Sequence, residues 1–151
     1  MATHAQRMQS IANRYFAESG RPATTDEIAA WAITNDLWRP HPAAIRRQCA
    51  EEIARAMREE YITDSQGRRV RAKHAARIKE GEKQQTFWAD IRTATRRHMQ
   101  IAFQQRRQQI VGDCRQLKWD IESFNQTRSP DRPIQMAWDF TPDLAEEEAA
   151  A

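Results

Sequence analysis

Apolar side chains recur every three or four residues in three separate runs within the first 60 positions. The first run contains Ile11 and Tyr15 and ends before Gly20. The second follows Thr24, which has the spacing of a helix-capping box with Glu27. The third follows the proline-rich segment LWRPHP, and proline disfavours helix in the residue before it. Steps of three and four are typical of amphipathic helices, so the pattern predicts three helices.

The stretch YITDSQGRRVRAKHA, residues 61–75, changes to the alternating pattern of β-strands. Its first residues favour extended backbone, and TDSQG has the composition of a tight turn. From residue 68 to residue 79 there are six basic residues and no acidic one. We therefore expect a basic two-stranded hairpin, and in its second strand one face would carry Arg69, Arg71 and Lys73.

A second helical pattern runs from about residue 85 to residue 125. Its steps average 3.6 residues when the polar gap at Arg106 is counted, which favours a straight helix over a coiled coil. A continuous helix of this length would extend about 60 Å, whereas a break at Gly112 would give a helical hairpin. Either arrangement leaves an apolar stripe that needs a partner from the same chain or a second copy, so a homodimer is one expectation. The stripe consists of Trp88, Ile91, Thr95, Met99, Ala102, Ile110, Cys114, Leu117, Ile121 and Phe124.

Composition narrows the class of protein. The 151 residues are 40% hydrophobic and 30% charged, and the mean hydropathy is −0.90, which is typical of a helical protein with a large polar surface. No apolar run approaches the roughly 20 residues of a membrane span. The first residues also lack the apolar block of a signal peptide. We therefore expect a cytoplasmic protein.

Residues that could support catalysis or metal binding do not cluster in the sequence. The two cysteines, Cys49 and Cys114, lie in separate helical patterns without a second ligand at metal-binding spacing. The four histidines are scattered, and neither a glycine-rich phosphate loop nor a Ser/His/Asp grouping is present. We therefore expect no metal, no cofactor and no enzymatic activity.

Charge is distributed unevenly along the chain. Residues 1–83 contain 15 Lys and Arg against 11 acids, and residues 84–128 contain 8 against 4. Residues 129–151 contain 1 basic residue against 6 acids. The body is thus basic and the tail acidic, and we expect these three ranges to be an N-terminal domain, a helical extension and a flexible tail.

The predicted order of helix, capped helix, longer helix and basic hairpin over residues 3–78 resembles the winged helix-turn-helix family of DNA-binding domains. TTDEIAAWA would be the first helix of the turn, HPAAIRRQCAEEIARAM the recognition helix and YITDSQGRRVRAKHA the wing. The segment ITNDLWRPHP departs from the family because it is longer and richer in proline than a three- or four-residue turn. The resemblance implies a mainly α fold with a three-helix domain and a two-stranded wing. A long helix or helical hairpin and an extended acidic tail would follow.

In this family the start of the third helix reads the major groove and the wing contacts phosphate or the minor groove. Arginine can recognise guanine, and glutamine adenine, through two-point contacts. The alternative is a solvated or protein-binding face, since Arg47, Glu51 and Arg55 have the spacing of ion pairs along a helix. The DNA-binding residues that the resemblance implies are His41, Arg46, Arg47, Gln48, Arg68, Arg69, Arg71 and Lys73.

The peptide PIQMAWDF, residues 133–140, lies between linker-like segments. Its spacing is similar to that of the bacterial sliding-clamp-binding peptide, in which a glutamine and three apolar residues bind a groove. Methionine and tryptophan stand where that peptide has leucines, and the bulk of Trp138 is the larger departure. The alternatives are docking onto the protein's own helices or binding to another partner. The defining positions are Gln135, Met136, Trp138 and Phe140.

These patterns predict a DNA-binding regulatory or accessory protein. Its partners would be double-stranded DNA through the first 83 residues and the sliding clamp through the tail. The competing prediction is a non-DNA adaptor or structural protein, in which the winged helix and the long helix are scaffold surfaces. A strongly salt-dependent complex with duplex DNA would separate the two.

Overall fold

The computed structural model describes residues 1–128 and 131–151. The chain is mainly helical, as predicted, with 58% of its residues in helices. It divides into two compact units, Met1–Ala54 and Arg55–Ala151, and the boundary falls within the third α-helix. The elements are α1 His4–Ser19, α2 Thr25–Thr34, a 3₁₀ turn Pro42–Ala44, α3 Ile45–Glu59, β1 Tyr61–Thr63, β2 Arg69–Arg71, β3 Lys73–Glu80, β4 Lys83–Asp90, α4 Arg96–Arg128 and α5 Thr141–Ala150.

The first two helices begin at threonine caps. The Thr3 hydroxyl accepts a hydrogen bond from the Gln6 backbone N–H at 3.1 Å, and the Gln6 side chain accepts one from the Thr3 N–H at 2.8 Å. The Thr24 hydroxyl accepts from the Glu27 N–H at 3.1 Å, which confirms the predicted cap. The reciprocal bond to the Glu27 side chain is absent from the hydrogen bonds of the described residues. Each cap satisfies a backbone donor that has no partner within its helix.

A left-handed residue, Asp36, ends α2. Its φ is 58°, and its N–H donates to the Ile33 carbonyl while that of Leu37 donates to the Ala32 carbonyl, at 3.1 and 2.9 Å. These two bonds form a Schellman motif, in which glycine is the usual left-handed residue and aspartate is one of the few others that tolerate the conformation. Arg39 then pairs with the Asp36 carboxylate, with Nε 2.6 Å from Oδ1. The proline-rich segment after α2 is therefore ordered at its start.

The core of the first unit lies between α1 and α2. Tyr15 is buried and packs edge-on against Trp31, with ring centroids 5.4 Å apart. Ala32 is buried beside them. Edge-on aromatic pairs of this kind stabilise a fold beyond the apolar area that they bury.

The predicted basic hairpin is confirmed. Strand β1 pairs antiparallel with β2, and Tyr61 lies opposite Arg71. Asp64 organises the connecting turn because its Oδ1 accepts the N–H groups of Gln66 and Arg68, each at 2.9 Å. Gly67 takes a positive φ of 78° in the same turn, as its lack of a Cβ allows.

A second hairpin, β3–β4, corrects the prediction of a helix from residue 85. Strand β3 pairs with β4 along its whole length, from Lys73 opposite Asp90 to Glu80 opposite Lys83. The helical steps at Trp88, Ile91 and Thr95 were therefore coincidental, since all three precede α4. The aromatic and β-branched residues of TFW favour a strand, and pairing with β3 satisfies backbone groups that a helix would have bonded internally.

Helix α4 is continuous, so the hairpin alternative with a break at Gly112 is wrong. Its 33 residues extend about 50 Å at 1.5 Å per residue. Ala102 is buried where α4 packs on β3. The Gln105 side chain attaches the helix to the sheet, because its amide accepts from the Arg77 N–H and donates to the Arg77 carbonyl, both at 2.7 Å.

The tail is extended only in part. Residues 133–140 have no regular structure, but α5 covers Thr141–Ala150, so the prediction of an extended acidic tail is wrong over those ten residues. Pro142 in the first helical turn, together with the Ala, Leu and Glu residues that follow, favours a helix there. Residues 129 and 130, at the predicted start of the tail, lie outside the described residues. None of the described helices has the length and apolarity needed to cross a membrane.

Candidate nucleic-acid interface

The second unit contains a basic cavity of about 510 Å³ between the β3–β4 hairpin and α4. Five cationic side chains line it, and Asp113 is the one carboxylate among the lining residues. Its apolar wall includes the half-buried Trp88 and the buried Ala102. The cations are Arg58, Arg71, Lys73, Arg77 and Arg106.

Lys73 is neutralised by carboxylates of its own unit. Its Nζ lies 3.0 Å from Glu60 Oε2 and 3.1 Å from Asp90 Oδ2, and hydrogen bonds to these two groups raise its pKa. Arg92 also binds Asp90, at 2.7 Å, and together with Lys73 it holds the pKa of that carboxyl well below its ordinary range. The structure therefore places Lys73 in β3, within an ion-pair network, and not on the strand with Arg69 and Arg71.

Arg71 and Arg106 form the uncompensated part of the cavity. In residues 1–128 and 131–151, no ion pair involves either of them or Arg77. Burial lowers the pKa of Arg106, and the charge of Arg71 lowers it further. Asp113 also lines the cavity but makes no ion pair with these arginines within the described residues, and like charges held together in this way favour a bound anion that relieves their repulsion.

His74 lies at the wall of this cavity, and the positive charges of Arg106 and Arg71 affect its pKa. Only 6% of its surface is exposed, and burial, followed by the charges of Arg106 and Arg71, lowers its pKa although a bond to the Arg71 carbonyl opposes the shift. Its Nε2 donates to that carbonyl at 2.9 Å, and its ring packs edge-on against Phe103 at 5.3 Å. The hydrogen bond and the ring contact therefore fix the orientation of His74, and burial favours its uncharged form.

The basic residues of the β1–β2 hairpin occupy three different environments. Arg68 pairs with Asp64 in the turn, with Nε 2.8 Å from Oδ2. Arg69 is exposed and its guanidinium lies 4.3 Å from the centroid of the Tyr61 ring, which orients it without neutralising its charge. Arg71 lines the cavity. Of the four predicted wing residues, Arg69 is therefore the one that is exposed and makes no ion pair among the described residues.

The residues predicted to read bases lie in the first unit. His41 comes directly before the 3₁₀ turn, and Arg46, Arg47 and Gln48 are exposed in the first turn of α3. The predicted ion pairs of Arg47 with its neighbours along α3 are absent from the ion pairs of the described residues. The helix start therefore presents polar side chains that are accessible to a partner.

Arg58, Arg77, Trp88 and Arg106 line the cavity but were not among the predicted site residues. Arg58 lies over the Trp88 ring, 5.7 Å from its centroid. One signal was available for Arg106, because it interrupts the apolar stripe of α4 at a position where a core residue is expected. Arg77 and Trp88 come together through the pairing of β3 with β4, which the helical interpretation of residues 85–95 concealed, whereas Arg58 reaches the cavity from α3.

The C-terminal peptide is attached by its backbone and leaves its side chains exposed. The Asn125 amide donates to the Ile134 carbonyl at 2.9 Å and accepts from its N–H at 3.0 Å. Met136, Trp138 and Phe140 are 52%, 36% and 42% exposed. The peptide is therefore attached to α4 at Ile134, while the three apolar positions predicted to bind a partner keep about a third to a half of their surface exposed.

The first unit also has an apolar groove, of about 410 Å³, between α1 and α2. Its lining includes Met8, Ile11, Ile28, Ile33 and Trp38. Ile33 is 56% exposed. A groove of this size and apolarity is typical of a surface that binds an apolar side chain or helix.

No protein-family model, no curated protein and no solved structure matches this chain. Over residues 1–128 and 131–151, His, Cys, Asp and Glu do not form a group of three or more that could hold a metal ion. We therefore infer a function from the chemistry of three features: the basic cavity, the β1–β2 hairpin and the exposed peptide.

Proposed function

We propose that the chain is a winged-helix protein that binds duplex DNA as a regulatory or accessory factor. The observation that carries the proposal is the β1–β2 hairpin directly after α3, with Arg69 exposed and held over Tyr61. The order of α1, α2, α3 and this hairpin supports the same conclusion. Within the basic stretch of residues 68–79, Arg68 and Lys73 are ion-paired, and exposed charges such as Arg69 and Lys79 add the electrostatic attraction that DNA-binding surfaces require.

Two kinds of contact with DNA would have different roles, one fixing position and the other reading sequence. Arg69 would contact phosphate and fix the position of the protein on the duplex, as arginines of such hairpins do without reading sequence. Arg46, Arg47 and Gln48, exposed at the start of α3, would approach base edges, where arginine discriminates for guanine and glutamine for adenine. His41 precedes them and would contribute at the same helix end.

Salt dependence tests the proposal. Anisotropy of a labelled duplex, measured from 50 to 200 mM salt, should give a steep linear fall of log affinity with log salt concentration, of about 0.9 per phosphate neutralised. Arg69→Gln should reduce that slope by about 1. Arg115→Gln is a matched control, because Arg115 also lies over an aromatic ring, 5.2 Å from the Trp119 centroid, but not on the hairpin. A salt-insensitive complex, or an equal effect of both variants, would refute the proposal.

The exposed peptide supports a second contact, with the groove of a protein such as the bacterial sliding clamp. Gln135, Met136, Trp138 and Phe140 have the spacing of the clamp-binding peptide, and the structure leaves the three apolar side chains exposed. Surface-immobilised clamp should capture the full chain but not the Gln135→Ala/Phe140→Ala variant. Leu144→Ala, an exposed apolar residue outside the motif, should bind as the wild type does. Absence of binding by the intact chain would remove the clamp as a partner.

The second candidate function is a protein-interaction adaptor that does not bind DNA. The apolar groove of the first unit favours it, as do exposed apolar residues of α4 such as Val111, Leu117 and Trp119. In that case the duplex anisotropy described above would show no salt-dependent binding, and the apolar surfaces would be the functional ones.

A further inference from the structure

We propose that the basic cavity of the second unit is a binding site for a nucleoside phosphate. Arg71 and Arg106 would hold the phosphate, and the wall around Trp88 would contact the base. This inference goes beyond duplex binding by the hairpin and does not rest on it. The ligand would therefore combine a negatively charged phosphate with a flat apolar ring.

The positive charges that line the cavity favour a phosphate group as the ligand. Lys73 is saturated by Glu60 and Asp90, whereas Arg71, Arg77 and Arg106 have no ion pair among the described residues. Arginines present paired N–H donors that match phosphate oxygens, so several of them around one recess can bind a multiply charged group.

The shape of the cavity selects a small ligand rather than a duplex. Its volume of about 510 Å³ lies within the range of roughly 300–1,000 Å³ that is usual for small-molecule sites. A duplex phosphate lies on a convex surface, while this recess is closed on one side by α4 and on the other by the β3–β4 hairpin. Ala75, Trp88 and Ile110 give it an apolar part that an inorganic anion would not need.

The site is also held in place by its surroundings. Gln105 fixes α4 to the backbone of Arg77 through two hydrogen bonds of 2.7 Å. About two turns earlier on α4, His98 donates to the His74 carbonyl at 2.9 Å. Arg58 lies over Trp88 and restricts the ring. Binding residues on rigid elements lose less entropy when a ligand arrives, which favours binding.

Two sources can supply this chemistry: a free nucleoside diphosphate, or the 5′-terminal nucleotide of a single DNA strand. Calorimetry with ADP, adenosine and inorganic pyrophosphate tests the first source. Titration with a short oligothymidine, with and without a 5′-phosphate, tests the second. We expect binding of ADP or of the 5′-phosphorylated strand, and markedly weaker binding of adenosine, of pyrophosphate and of the unphosphorylated strand.

Variants on neighbouring positions of α4 provide the control. Arg106→Gln should weaken binding about ten- to hundredfold, as expected for the loss of hydrogen bonds to a charged group. Arg107→Gln removes the same charge one residue away, outside the cavity lining, and should leave the affinity unchanged. Arg77→Gln offers a second cavity variant if Arg106→Gln does not fold, as judged from its melting temperature.

Three results would overturn the inference: no binding of any probe, equal losses in Arg106→Gln and Arg107→Gln, or pyrophosphate binding as tight as that of ADP. Failure here is distinguishable from failure of the proposed function, because duplex binding is assigned to Arg69 and is measured separately with Arg69→Gln.

Discussion

One side chain of α4, Gln105, makes two hydrogen bonds to the backbone of the second hairpin. Gln105 pairs with the backbone of Arg77 much as a neighbouring strand would, accepting from its N–H and donating to its carbonyl at 2.7 Å each. Gln105→Ala removes both bonds and leaves the outer edge of β3 without these partners. Since the site is at the surface, water can replace them in part.

The expected cost follows from the two bonds. Each contributes about 0.5–1 kcal/mol net at such a position, so the free energy of unfolding should fall by about 1.5 kcal/mol. For a cooperative unit of about 100 residues, 1 kcal/mol shifts the melting temperature by roughly 4–8 °C. The second unit, Arg55–Ala151, is of that size, and we therefore expect its melting temperature to fall by about 6–12 °C.

Calorimetry and amide hydrogen exchange measure this effect. In the variant the Arg77 amide should exchange faster, because it loses its acceptor, while amides within α4 should be less affected. Gln104→Ala is the matched control: it makes the same change of residue on the exposed position before, and Gln104 has no side-chain hydrogen bond among those of the described residues. If the two variants melt within about 1 °C of each other, the attachment does not contribute to stability and the reasoning is refuted.

Three further predictions concern acid stability, helix capping and self-association. The pKa of Asp90 is lowered in the folded protein, so the ionised carboxylate stabilises the fold above the ordinary pKa of 3.8, and this stabilisation is lost as the pH falls below that value. In Asp90→Asn the melting temperature should therefore fall less between about pH 4 and pH 2 than in the wild type. An unchanged pH profile would contradict the assignment. Thr24→Ala should lower the free energy of unfolding by about 1 kcal/mol in denaturant titration, whereas Thr25→Ala, next to the cap, should not. Leu117 and Phe124 are each 44% exposed on α4, so light scattering should give a dimer mass that Leu117→Glu/Phe124→Glu reduces to a monomer; a monomeric wild type at all concentrations would exclude this dimer.

Local sequence determined much of this protein's secondary structure. The cap at Thr24 and the turn centred on Asp64 are set by hydrogen bonds between residues within four positions of each other. Such bonds form wherever the same few residues occur, and helical periodicity over α1, α2 and most of α4 is equally local. The exposed peptide around Trp138 could be recognised for the same reason, because its spacing does not depend on the fold.

Only the tertiary structure decided the second hairpin and the cavity. The spacing of Trp88, Ile91 and Thr95 fits a helix, but Trp88 lies in β4, which ends at Asp90 and pairs with β3 across a two-residue turn. That pairing places Lys73 opposite Asp90, so a residue expected to meet DNA is neutralised. It also creates the wall against which α4 brings Arg106. Charges from four separate elements meet there because backbone pairing and side-chain burial, not sequence spacing, determine which distant residues become neighbours.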